Sequence, residues 1–175
     1  MHQTARENGQ KFFNKYLKGK FKNKKVLDIG SYDVNGTLKP IFTEGEYIGL
    51  DMTEGPNVDI ISSSHDIDLP DESVDAIVST SCFEHDEMFW VTFLEMCRVV
   101  KKDGYIYVNK PSTGHYHQYP GDCWRFYKDA GKALEKWAHR NNYTNIKLVE
   151  SYIEPKGQWK DCVNIWLKQT HCGQK

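Results

Sequence analysis

Apolar residues along this chain fall into short runs rich in β-branched and aromatic side chains: Lys25 to Ile29, Tyr47 to Asp51, Val58 to Ile61, Val74 to Ser79 and Tyr105 to Asn109. Each run ends on polar residues, the composition of strands buried in a parallel sheet. Ahead of them, residues 3–18 gather Phe12, Phe13, Tyr16 and Leu17 on one side, which predicts a helix. Between the fourth and fifth runs, Phe89, Phe93, Met96, Cys97 and Val100 recur at helical spacing, and Lys101-Lys102-Asp103-Gly104 supplies a basic last turn and a glycine stop. The pattern predicts a strand, helix, strand crossover there. A shorter helix is expected over Asn35 to Phe42, and another over Asp129 to Arg140 with Ala133, Leu134, Trp137 and Ala138 on its buried face. Two last runs, Asn145 to Ile153 and Cys162 to Leu167, read as an antiparallel strand pair at the C-terminal edge of the sheet.

The sum is an α/β fold with a doubly wound, mostly parallel sheet. Two crossovers are abbreviated: Met52 to Asn57 joins the second and third strands, Ser62 to Ser73 the third and fourth, and neither carries a helical pattern. A parallel crossover usually takes a dozen or more residues, so the first of these strains the reading.

At 175 residues the chain fits one domain, and no repeat or low-complexity segment divides it. The formal charge of -1 gives no global reason to bind nucleic acid or an anionic membrane, and no stretch approaches a membrane span. The basic run from Arg6 to Lys25 reads as the solvated face of the first helix and its linker. Cys82, Cys97, Cys123, Cys162 and Cys172 are odd in number and lack a CxxC pair, so free thiols and a cytoplasmic setting are expected.

In such a sheet, ligands bind beyond the carboxyl ends of the strands. Those ends offer Asp28, Gly30 and Ser31, then Asp51 and Met52, then Asp66 and Ile67, then residues 79–85, then residues 109–111. The spacing from Gly30 to Asp51 fits an acidic residue that accepts hydrogen bonds from a ribose diol. A dinucleotide would need G-x-G-x-x-G, but the next glycine after Gly30 is Gly36, and Asp28 would repel phosphate. A nucleoside with a cationic group is attracted instead, and S-adenosylmethionine carries an ammonium and a sulfonium. Asp66 suits the exocyclic amine of adenine, with Ile67 and Met52 against the ring faces.

The stretches "VLDIGS", "YIGLDM", "HDIDLPDESVDAIVSTSCFEH" and "VVKKDGYIYVNKP", in this order over residues 24–111, resemble the successive motifs of class I S-adenosylmethionine-dependent methyltransferases of the methyltransferase-domain 11 type. The resemblance implies a Rossmann-like class I methyltransferase fold. It implies that Asp28, Gly30 and Ser31 surround the methionine end of the cofactor, Asp51 the ribose, and Asp66 with Ile67 the adenine, with Thr80 and Ser81 near the methyl donor. The usual first loop of the family is richer in glycine than Ser31 to Val34.

Residues 112–127, "STGHYHQYPGDCWRFY", follow the fifth strand with more polar and aromatic groups than a plain connection needs, and Pro111, Gly114, Pro120 and Gly121 make a long loop. The segment "YPGDCWRFY" resembles a loop of small methyltransferases associated with sugar and polysaccharide biosynthesis. For a hydroxyl acceptor, His117, His115, His85 and Asp122 are candidate bases, with His117 and Asp122 favoured, and Arg125 suits a carboxylate or phosphate on the acceptor. His115, Tyr119, Trp124 and Arg125 are the expected acceptor-binding residues. Against these stand plainer roles: Glu84-His85 capping the next helix, Trp124, Phe126 and Tyr127 pinning the loop, and Arg125 as a structural partner of Asp122. His115 and His117 with Glu84 or Cys123 lack a third ligand fixed by spacing, so no metal is expected.

The expected function is methyl transfer to an oxygen or nitrogen of a small polar, sugar-like metabolite, by a monomer or homodimer. The rivals are a nucleic-acid methyltransferase and a catalytically silent nucleoside-binding module. Ser79-Thr80-Ser81-Cys82-Phe83 has neither the Asn/Asp-Pro-Pro-aromatic pattern nor the Pro-Cys nucleophile of nucleic-acid enzymes.

Overall fold

The computed structural model describes residues 1–119 and 121–170; Pro120 and Cys172 lie outside the described residues. Seven strands, β1 (Lys25–Ile29), β2 (Glu46–Asp51), β3 (Ile60–Ile61), β4 (Val74–Thr80), β5 (Val100–Lys110), β6 (Ile146–Ile153) and β7 (Cys162–Lys168), form one sheet of order β3-β2-β1-β4-β5-β7-β6. The pairs β1–β2, β1–β4, β2–β3 and β4–β5 are parallel, and β7 runs antiparallel to both β5 and β6. The order reverses between β1 and β4, so a crevice opens at their carboxyl ends.

The helices α1 (Gln3–Phe12), α2 (Phe89–Val99) and α3 (Ala130–Arg140) cover the two faces. On one face Phe93, Met96 and Cys97 of α2 and Leu134 and Ala138 of α3 share a core with Leu27, Ile77, Ile106 and Trp166. On the other, Phe12, Phe13, Leu17 and Phe21 pack on Val26, Val78 and Tyr107, with Phe12 stacked on Tyr107 at 4.8 Å. The expected first helix narrows to Gln3–Phe12 and then widens into a π-type turn over Phe13–Leu17, closed by Lys18 N–H donating to Phe13 at 2.9 Å.

The short second crossover works because β3 pairs only with Leu50 and Asp51, so the chain returns by about one residue pair, not by a strand length. Asp59 fastens it: its backbone N–H donates to Gly49 O and its carboxylate accepts from Gly49 N–H, both at 2.8 Å. A Cβ at position 49 would lie 1.8 Å from Asn57 O, so glycine is required for this close return. The next link, residues 62–73, is held by side chains of α2 where no helix of its own stands. Glu95 accepts from Ile67 N–H at 2.9 Å, and Arg98 donates to Ile67 O and Leu69 O, each at 2.8 Å.

Three expectations change. Asn35 to Phe42 is a loop with one 3₁₀ turn at Lys39–Ile41: Asp33 accepts from Gly36 N–H and Thr37 Oγ1 from Lys39 N–H, local bonds that compete with helix. Helix α2 stops at Val99, and Lys101 to Gly104 lie in β5, where Asp103 takes a left-handed φ of 61° at an irregular join with β4. On α3 the buried residues are Gly131, Leu134, Glu135 and Ala138; Ala133 and Trp137 face outward, and the Trp137 indole instead donates to Trp90 O at 3.1 Å.

Candidate active site

The carboxyl ends of β1 and β4, the loop after β5 and the start of the chain enclose a cavity of about 290 Å³. Its walls include Asp28, Gly30 and Ser31 from the end of β1, Thr80 and Ser81 from the end of β4, and Glu84 and His85 just beyond. Pro111, His117 and Tyr119 face them from the loop after β5; Trp159, from the β6–β7 connection, and Met1 and His2 complete the wall.

Asp28 is buried, 6 % exposed, and accepts a 2.5 Å hydrogen bond from Tyr47 Oη. Burial pushes its carboxyl up to about 7; the Tyr47 bond opposes this, and the charge of Asp51 adds to it. At Gly30 the backbone takes φ 78°, and a Cβ would lie 2.7 Å from Cys82 Cβ and Sγ. Ser31 Oγ and Thr80 Oγ1 are buried without a hydrogen-bond partner in the protein, so two hydroxyls are left for a ligand.

Opposite lie the histidines. The rings of His85 and His117 meet edge to face at 5.0 Å. His85 Nδ1 is hydrogen-bonded to the carbonyl of Gly121, and burial lowers the pKa of its ring. His117 Nδ1 lies 3.1 Å from Asp122 Oδ2, and His117 N–H donates to the same oxygen at 2.7 Å. Arg125 grips Asp122 with both terminal nitrogens, at 2.5 and 2.7 Å, and also donates to His115 O. That guanidinium holds the Asp122 carboxyl well below its usual range. Beneath the histidines, burial raises the Glu84 carboxyl to about 8, and its Oε2 has no partner. Its backbone carbonyl accepts from Cys123 N–H and Trp124 N–H, at 2.7 and 3.2 Å, which pins the loop to the end of β4.

The fold therefore brings Asp28, Gly30, Ser31, Thr80, Ser81, His85, His117 and Tyr119 together around one space. It leaves others outside. Asp51 accepts from Tyr32 N–H and Thr53 N–H at the end of β2, with Met52 exposed beside it. Asp66 is exposed, whereas Ile67 is 2 % exposed and packs in the core under α2, which corrects its expected place on an adenine face. Trp124 donates to Asp86 O at 2.9 Å and packs on Phe89 and Trp90, and His115 is exposed against Trp159. Arg125, committed to Asp122 and His115, has the structural partnership that competed with its role as an acceptor clamp. Glu84-His85 caps nothing: α2 starts at Phe89, with no side-chain cap.

Tyr47, Trp159 and His2 were not among the expected site residues, and Glu84 was, as one of residues 79–85 at the end of the fourth strand. Tyr47 reaches Asp28 diagonally across two strands; Trp159 and His2 come from opposite ends of the sequence, with His2 held at 2.9 Å by buried Asp161. The adjacent Thr80 and Ser81 were a signal for Glu84, since the strand end points its next residues into the crevice.

Solved structures share this fold. Over 94 % of this chain and 78 % of the other, it is similar to the Burkholderia thailandensis 1,6-didemethyltoxoflavin-N1-methyltransferase with bound 1,6-didemethyltoxoflavin and S-adenosylhomocysteine, at 14 % identity and a TM-score of 0.70. It is also similar to a SAM-dependent methyltransferase from Aquifex aeolicus, at 17 % identity and a TM-score of 0.60, over 91 % of this chain and 88 % of that one. At such identities the likeness is one of fold. No curated protein matches the sequence. Residues 38–108 match the methyltransferase domain family Methyltransf_11. That segment, and the fold around it, are similar to those of S-adenosylmethionine-dependent methyltransferases. The cavity fits S-adenosylmethionine on independent grounds: a buried carboxylate for a cationic amine, two unpartnered hydroxyls, and no phosphate-binding glycine run. Among the described residues, no helix is long and apolar enough to cross a membrane.

Proposed function

We propose that residues 1–175 act as one methyltransferase domain that methylates an oxygen or nitrogen of a small, polar, sugar-like acceptor, with His117 as proton acceptor. The observation that carries this reading is the single cavity in which Asp28, Ser31 and Thr80 face the His85–His117 pair, with Asp122 behind His117.

In this reading Asp28 pairs with the cofactor's ammonium, Gly30 and Ser31 lie along its methionine end, and Thr80 and Ser81 lie near the sulfur. Asp51 takes the ribose hydroxyls and Asp66 the adenine amine, with Met52 over the ring, in the open groove beside β2. The bound cofactor supplies an electrophilic methyl group on a sulfonium. Asp122, kept ionised by Arg125, holds His117 with Nδ1 toward the carboxylate and Nε2 free, so that His117 can take the acceptor's proton as the nucleophile forms. Alignment in the cavity is the larger contribution, ~7–11 kcal/mol in favourable intramolecular cases, and the base adds ~10²–10⁴-fold. Polar walls of His85, His117 and Tyr119 suit a hydroxylated acceptor, with Trp124 and Arg125 holding the loop that carries the last two. A cytoplasmic setting accords with the free Cys82, Cys97, Cys123 and Cys162.

The test is calorimetric titration of the purified protein with S-adenosylmethionine, S-adenosylhomocysteine and NAD, followed by transfer of labelled methyl to a panel of sugars, sugar acids and amino sugars. Binding of the first two ligands, none of NAD, and label in a sugar is the expected result. Label appearing only in RNA or in apolar phenols would overturn the acceptor class.

A further inference from the structure

The geometry points to a divalent-cation site made by Glu84, His85 and His117 at the base of the acceptor side of the cavity. One ligand atom from each of the three lies within 4.8 Å of the others. The sequence separates His117 from the other two by a whole crossover, which is why spacing alone fixed no such set.

Three observations set this cluster apart from a chance grouping. The Glu84 side chain is 3 % exposed and lines the cavity, yet Oε2 has no hydrogen-bond partner, and His85 Nε2 stands 3.8 Å from Oε1, too far for a hydrogen bond. A buried carboxyl oxygen without a donor is an unmet acceptor that a bound cation would satisfy. His85 turns Nδ1 to the carbonyl of Gly121, so Nδ1 carries the proton and Nε2 keeps a lone pair facing Glu84. His117 Nδ1 lies 3.1 Å from the Asp122 carboxylate, buried and without a hydrogen bond of its own, so this ring too has an unsatisfied nitrogen beside the cluster. An imidazole whose far nitrogen is tied to a carbonyl, as that of His85 is, has the outer-shell arrangement that metal-ligating histidines almost always have.

Two imidazoles and one carboxylate suit Zn²⁺ or Fe²⁺, not Mg²⁺ or Ca²⁺. Bonds of ~2.0–2.2 Å to a common ion require the ligand atoms to close by about an ångström. His117 lies on a partly exposed loop that can supply this movement. The remaining coordination positions open on the cavity. On the methyl-transfer reading, on which this role rests, an acceptor hydroxyl bound there is acidified and releases its proton to water, and His117 serves as a ligand while the ion is present.

The experiment titrates Zn²⁺ into the full-length, chelator-treated protein by calorimetry, with Co²⁺ absorption as a second readout and S-adenosylmethionine titrated into the same samples. We expect one equivalent of tightly held Zn²⁺, a Co²⁺ visible band, and at least a tenfold loss of Zn²⁺ affinity in Glu84→Gln and in His117→Gln, with circular dichroism confirming the fold. His117→Gln alters an exposed loop and keeps the test open should Glu84→Gln fail to fold. Wild-type Zn²⁺ affinity in both variants would assign the ion elsewhere, exposed Cys123 included, and would overturn the proposal. Cofactor binding with no Zn²⁺ binding would refute the cation site alone; Zn²⁺ binding with no cofactor binding would refute the methyl-transfer role and leave the site standing.

Discussion

Tyr47 and Asp28 meet across the β1–β2 pair, hydroxyl to carboxylate at 2.5 Å, because Tyr47 sits two positions before Gly49, the residue opposite Asp28. This diagonal contact lies on one face of the sheet and holds a buried carboxylate ready at the end of β1.

The pair has a stability cost with a definite sign. The folded-state pKa of Asp28, about 7, lies above its ordinary 3.8, so between these values the folded protein binds a proton that the unfolded chain has released, and stability falls as pH rises. Below pH ~4 the penalty is absent, and above pH ~7 it is complete, about 4 kcal/mol. Asp28→Asn keeps an acceptor for Tyr47 and loses the charge. Urea denaturation should find the variant more stable than the parent at pH 8 and equal to it at pH 4, with cofactor affinity at least tenfold weaker at pH 8. A pH-independent difference between the two would contradict this account.

For His117→Ala, titration should give nearly unchanged affinity for S-adenosylmethionine, while turnover at saturating cofactor falls by ~10²–10⁴-fold. Loss of cofactor binding with normal turnover would reverse the division of the cavity. Asp122→Asn should lower turnover as well, by releasing the orientation of His117 and the grip of Arg125.

Gly30→Ala places a Cβ 2.7 Å from Cys82 in a backbone conformation that L side chains rarely adopt. A destabilisation of ~1–3 kcal/mol is expected by thermal denaturation. A variant with unchanged melting would show that the β1 loop can relax away from Cys82.

Arg98→Met removes the donors to Ile67 O and Leu69 O while keeping much of the stem. We expect ~2–3 kcal/mol of lost stability from the abandoned carbonyls, and faster hydrogen exchange at Ile67 N–H, whose acceptor Glu95 loses its own partner. Retained protection at Ile67 would mean that Glu95 alone secures the link.

Strands β1, β4, β6 and β7 and helices α2 and α3 were legible because buried runs and helical spacing impose their own periodicity. Asn35 to Phe42 misled because its apolar residues, Leu38, Ile41 and Phe42, are core residues carried by a loop whose Asp33 and Thr37 side chains bind the backbone locally. The left-handed turn at Asp103 gave no sign, since the residue is not glycine. In the site, residues at strand ends could be placed from topology, as Asp28, Gly30, Thr80 and Ser81 were. Trp159 could not, because it comes from a connection at the far end of the chain, and the partners of Glu84 are set by a loop folding back on β4.

The segment from His2 to Tyr16 pairs with residues far along the sequence. His2 binds Asp161, Lys11 binds Glu154 and Tyr16 binds Glu150, across 159, 143 and 134 residues of sequence. Such non-local pairing is slow, since the whole intervening chain must be ordered before the contact can form. On the ribosome the basic N-terminal segment must wait for the β6–β7 hairpin. The wall of the cavity that Met1 and His2 supply is thus among the last parts to assemble, so competence to hold a ligand coincides with completion of the sheet.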